Sequence, residues 1–74
     1  MSDTEEFRVE VGDRPINLSQ VLKLAGCVLS GGEAKNLIAD GAIRVNGEVE
    51  LRKRRQMAKG DVVVIENGPK ILLV

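Results

Sequence analysis

Ser30-Gly31-Gly32-Glu33-Ala34-Lys35-Asn36-Leu37-Ile38-Ala39-Asp40-Gly41-Ala42-Ile43-Arg44-Val45-Asn46-Gly47-Glu48-Val49 changes its hydrophobic period midway, and that change decides the fold class. Ser30 and Glu33 have the S-x-x-E form of a capping box, in which two side chains satisfy orphan backbone amides at a helix start. Ala34, Leu37 and Ile38 then recur at helical spacing, and Gly41 suits a left-handed helix stop. Beyond Gly41 the chain turns at Asn46-Gly47, its strongest short-range hairpin signal. Two registers fit that turn. A two-residue loop at 46–47 sets Val45 opposite Glu48 and Ile43 opposite Glu50. A three-residue loop at 45–47, with Gly47 left-handed, sets Arg44 opposite Glu48 and Ile43 opposite Val49. The second matches like with like across the strands and is the expected one; it also gives Arg44 a structural partner in Glu48.

Upstream, Asn17 is placed as a helix N-cap with Gln20 three residues on, and Leu18, Val21, Leu22 and Ala25 form one apolar stripe that Gly26 closes. Lys23 points away from that stripe. At about nine residues this helix is too short to stand alone, so its stripe must dock. Phe7, Val9 and Val11 alternate with Arg8 and Glu10 as a short strand, which Gly12-Asp13-Arg14-Pro15 ends. Downstream, Val62-Val63-Val64-Ile65 reads as a central strand and Ile71–Val74 as a final one, with turns at Lys59-Gly60-Asp61 and Asn67-Gly68-Pro69. The expected architecture is a single α+β domain over residues 1–74: strand, helix, helix, then about four strands, with two short helices packed on a small, mostly antiparallel sheet. Residues 1–6 are expected to be disordered.

The 74 residues include no His, Trp or Tyr, one Phe and one Cys. A Ser-His-Asp triad, a Cys-His nucleophile and a zinc site of Cys and His all lack their parts. No glycine-rich phosphate-loop or dinucleotide fingerprint is present. Cys27 has no partner for an internal disulfide and reads as a small core residue. No apolar run approaches a membrane span, and the acidic start lacks the layout of a signal peptide. These absences point to a cytoplasmic, non-catalytic domain that needs no cofactor, metal or membrane; a monomer is expected, though nothing in the sequence fixes the oligomeric state.

Eleven bases balance eleven acids, but unevenly. Residues 1–15 hold five acids against two bases, and residues 16–74 nine bases against six acids. Four of those bases are consecutive, Arg52-Lys53-Arg54-Arg55. Adjacent cations repel one another, and they become favourable when a polyanion neutralises them and releases counterions. Without Trp or Tyr to stack on bases, nucleic acid would be held through phosphates and shape.

The stretch from Asn17 to Asp61 carries a family pattern: L-x-x-x-L at Leu18 and Leu22, S-x-x-E-A-K-x-L-I from Ser30 to Ile38, the Gly41 stop, I-R-V-N-G-E-V from Ile43 to Val49, and K-G-D from Lys59 to Asp61. It resembles the alpha-L motif, the RNA-binding domain of ribosomal small-subunit protein four, and in particular its short stand-alone, YbcJ-like members. The resemblance implies that two helices and the following hairpin form a basic surface gripping structured RNA, ribosomal or transfer, with the ribosome or a ribosomal subunit as a possible setting. Lys35, Arg44 and the loop Arg52, Lys53, Arg54, Arg55 fall at the family's basic positions, and Lys23 is added as an outward-facing cation. Asn17 and Gly31 stand where the family has Arg, so weaker or narrower affinity is expected. This reading requires the cations to meet on one face. Reversing the charges of Arg52–Arg55 is expected to abolish binding with little loss of stability. Two other readings are a protein-interaction module, engaged through the acidic start and the strand at 7–11, and a detached recognition subunit of an RNA-modifying enzyme.

Overall fold

Asn17 and Gln20 bond to each other across the start of the first helix. The Gln20 N–H donates to Asn17 Oδ1 (3.0 Å) and the Asn17 N–H donates to Gln20 Oε1 (2.9 Å), closing the expected capping box. The computed structural model describes residues 5–74. Its elements run β1 (Glu6–Val9), β2 (Ile16–Asn17), α1 (Leu18–Leu24), α2 (Gly31–Ala39), β3 (Ile43–Val45), β4 (Glu48–Val49), β5 (Gln56–Met57), β6 (Val62–Ile65) and β7 (Lys70–Leu73). The two expected helices are present, and Gly26 (φ 75°) and Gly41 (φ 76°) stop them in the left-handed region. At α2 the Glu33 N–H donates to Ser30 Oγ (3.3 Å), while the return bond from the Glu33 side chain is not made among the described residues.

Five strands form one sheet in the order β1-β7-β6-β3-β4, with β1 parallel to β7 and the other pairs antiparallel. β6 is the central strand, as its β-branched run predicts. The inner face of this sheet and the stripes of α1 and α2 share one core, in which Leu18, Leu22, Ile38, Ile43, Val63 and Ile71 are fully buried. A separate two-residue ladder pairs β2 with β5, Ile16 opposite Met57 and Asn17 opposite Gln56. Neither of these short strands has a periodicity long enough to read in the sequence, and five strands follow the helices where about four were expected.

The hairpin register differs from the expected one. Arg44 lies opposite Val49 and Val45 opposite Glu48, so the loop has two residues, Asn46 (φ 53°) and Gly47 (φ 89°), both left-handed as a type I′ turn requires. Matching apolar residues across this hairpin has no force because β4 is an exposed edge strand. The inner face of β3 is buried through β6 instead, with Ile43 opposite Ile65 and Val45 opposite Val63. Turn chemistry therefore sets the register, and Asn46 reinforces it: its Oδ1 accepts from the Val62 N–H (3.0 Å) and its Nδ2 donates to Asp61 Oδ1 (3.1 Å). Arg44 consequently does not face Glu48. Of residues 1–6, for which disorder is expected, residues 1–4 lie outside the described residues. Glu5 and Glu6 are in place: the Lys70 N–H donates to Glu5 O (2.7 Å), and Glu6 opens β1.

Candidate nucleic-acid interface

The four-cation loop lies between β4 and β5 and is pinned to the beginning of α1. A helix start leaves backbone amides without intrahelical partners. Here the Leu18 N–H donates to Arg55 O (3.0 Å) and the Ser19 N–H to Lys53 O (3.1 Å), so the loop's carbonyls complete the cap that Asn17 begins. Asn17 is thus occupied structurally: its Oδ1 accepts from Gln20 N–H and from Ser19 Oγ (2.8 Å). β5 then pairs with β2 and carries the chain away from the loop.

Glu50 holds the loop's side chains. Its Oε1 lies 2.8 Å from Arg55 Nε, and its Oε2 accepts from Arg52 Nε (3.1 Å) and from the Arg52 backbone N–H (3.1 Å). Arg52 Nη2 adds a bond to Oε1 (3.3 Å). Hydrogen bonds from the Arg52 guanidinium hold the Glu50 carboxyl below the ordinary carboxylate range; its partial burial acts the other way, and the Arg52 N–H and the two arginine charges add to the lowering. The same hydrogen bond pushes the Arg52 guanidinium up. Arg55 is only 28% exposed and also approaches Asp61 Oδ2 (3.9 Å), which accepts from the Ala58 N–H (2.8 Å). Arg52 is 76% exposed. Lys53 and Arg54 are exposed and make no ion pair among the described residues.

Lys35 of α2 faces this loop across an open groove of about 850 Å³, whose other walls include Ile38, Ala39, Leu51 and Gln56. The groove therefore gathers five of the seven candidate cations: Lys35, Arg52, Lys53, Arg54 and Arg55. Lys23 instead lines a separate depression with Arg14, Pro15, Ile16, Gln20 and Leu24. Arg44 lies on the outer face of the sheet, beside Gly41, Val64 and Glu66. The expected single surface is thus divided, because Arg44 alternates with the buried Ile43 and Val45 and must point away from the helices. The ion pairs of Arg52 and Arg55 also revise the expectation that charge reversal across the loop spares stability; it now applies to Lys53 and Arg54 alone.

Sequence reasoning passed over Glu50, and also Leu51, which is 62% exposed among the cations. The signal in the sequence is an acid two residues before Arg52. Cys27 is half-buried and packs against the core, and burial pushes its thiol up, away from the reactive thiolate. Among the described residues, no three His, Cys, Asp or Glu side chains gather where they could hold a metal ion, and no helix is long and apolar enough to cross a membrane.

A groove lined by five cations suits charge-assisted hydrogen bonds to anionic groups. The chain belongs to the S4 domain family, whose model matches residues 9–74. It is 40% identical over 58 residues to the probable ribosome maturation protein RlbA of Bacillus subtilis (strain 168), covering 78% of this chain and 82% of that one. It is 43% identical over 54 residues to YbcJ of Escherichia coli (strain K12), whose name carries RNA binding as a proposed role, covering 72% and 77% respectively. A tyrosine–tRNA ligase of Aromatoleum aromaticum is 37% identical over 68 residues, which are 92% of this chain and 17% of the ligase. The I-R-V-N-G and K-G-D motifs within the matched region meet in space, since Asn46 and Asp61 bond to each other.

Proposed function

We propose that the chain binds folded RNA, ribosomal or transfer, without catalysing a reaction, by seating backbone phosphates in the groove between Lys35 and Arg52–Arg55. The observation that carries this reading is the meeting of a helix cation and the four-cation loop in one open groove. The names of the relatives add to it: one is assigned to ribosome maturation, one to RNA binding, and the ligase acts on transfer RNA. Lys53, Arg54 and Lys35 are the principal phosphate contacts and Arg52 a further one. Lys23 extends the surface along α1, and Arg44 contributes least, being on another face.

Fluorescence-anisotropy titrations of a folded transfer RNA and a ribosomal RNA fragment at several salt concentrations test the proposal. With about five phosphates engaged, log K falls with log salt at a slope of roughly −3 to −5. No binding at low salt, or affinity indifferent to salt, sinks it.

A further inference from the structure

We propose that Glu50 is an internal competitor for the phosphates this groove takes, its carboxylate occupying the guanidinium fork of Arg52 until RNA displaces it. For its physiological ligand this rests on the RNA-binding reading above; the competition itself concerns any polyanion. A guanidinium recognises carboxylate and phosphate with the same pair of parallel N–H groups. In this structure Arg52 presents that pair, Nε and Nη2, to Glu50 at 3.1 and 3.3 Å. Arg52 is 76% exposed, so a phosphate can reach it. Arg55 shares the same carboxylate at 2.8 Å but is 28% exposed and has Asp61 on its other side. The exchange is therefore asymmetric. Arg52 changes partner, whereas Arg55 stays on Glu50 and keeps the loop carbonyls on the first amides of α1. Glu50 thereby divides four consecutive cations into one brace (Arg55), one exchangeable contact (Arg52) and two open contacts (Lys53 and Arg54). It lowers the polyanion affinity of the groove without occluding it.

The test compares wild type with Glu50→Gln, which keeps the shape and removes the charge, and with Glu10→Gln, the same charge change at an exposed residue of the β1 end. Each is titrated with a folded transfer RNA at several salt concentrations and eluted from a heparin column with a salt gradient. Glu50→Gln is expected to bind about two- to five-fold tighter than wild type, the scale of an exposed ion pair. Its salt slope steepens by about 0.7–0.9, one further counterion-releasing contact. Glu10→Gln shows neither change, and adding Arg52→Gln to Glu50→Gln abolishes the gain. Unchanged or weaker binding by a Glu50→Gln protein that melts cooperatively overturns the inference. Should that variant not fold, Arg52→Gln and Lys53→Gln in the wild-type background decide: the smaller loss belongs to Arg52, and an equal or larger one overturns the inference. Wild type silent on both the transfer RNA and the ribosomal RNA fragment sinks the RNA reading, while the heparin elution order still decides the role of Glu50.

Discussion

The two connections that flank β4 are built on opposite principles. The turn at Asn46-Gly47 needs only its own two residues and one neighbouring strand: left-handed backbone at both positions and an asparagine side chain bonded to Val62 and Asp61. The loop at Arg52–Arg55 has no conformational preference that would hold four like charges together. Its shape is imposed from elsewhere, by the amides of α1, by the β2–β5 ladder and by Glu50. The turn spends its residues on geometry and has nothing left for a ligand. The loop borrows its geometry, and so leaves Lys53 and Arg54 free for one.

Breaking the turn is expected to have the largest effect. Asn46→Ala puts a residue less tolerant of left-handed backbone at φ 53° and removes the acceptor for the Val62 N–H and the donor to Asp61. The cost is about 2 kcal/mol, from left-handed strain and lost hydrogen bonds. In a domain of this size that lowers Tm by roughly 10 °C in a thermal melt. RNA affinity measured well below Tm stays within about two-fold, since the groove contains neither partner. A loss of RNA binding by the folded variant would show that the two connections are not separable.

Inside the loop the comparison sharpens to single residues. Arg55→Gln removes a partly exposed brace worth about 1 kcal/mol and lowers Tm by roughly 5 °C, with little change in the salt slope of RNA binding. The double variant Lys53→Gln/Arg54→Gln does the reverse: stability stays within about 0.5 kcal/mol and the slope flattens by roughly 1.5. If both variants change stability and slope alike, the loop has no division of labour.

The smallest effect is the acid response of Glu50. Its carboxyl is held below the ordinary value of about 4.3 in the folded chain, so the unfolded chain takes up its proton first as pH falls. The stabilisation is fully present above that ordinary value and is lost as pH drops through the folded one. The Tm advantage of wild type over Glu50→Gln is therefore expected to shrink from pH 6 toward pH 3. A difference that persists unchanged at pH 3 would assign it to packing rather than to charge.

How far each feature could be read follows its range along the chain. The caps at Asn17 and Ser30, the stops at Gly26 and Gly41 and the central strand at Val62–Ile65 rest on neighbours within a few residues, and their signals are local. The hairpin is legible as a turn but not in register, because cross-strand matching carries little weight at an exposed edge strand. The β2–β5 ladder is too short to show any period.

Of the site, the sequence by itself determined which residues carry positive charge, that no aromatic platform accompanies them, and that four stand together in a loop. Charge is a property of a residue alone and survives any folding. Only the tertiary structure decided which of those charges share a groove, which one turns to the far face of the sheet, and which two face Glu50. An ion pair or a groove is a distance between segments, and that distance exists only once α1, α2 and the sheet have closed on their common core.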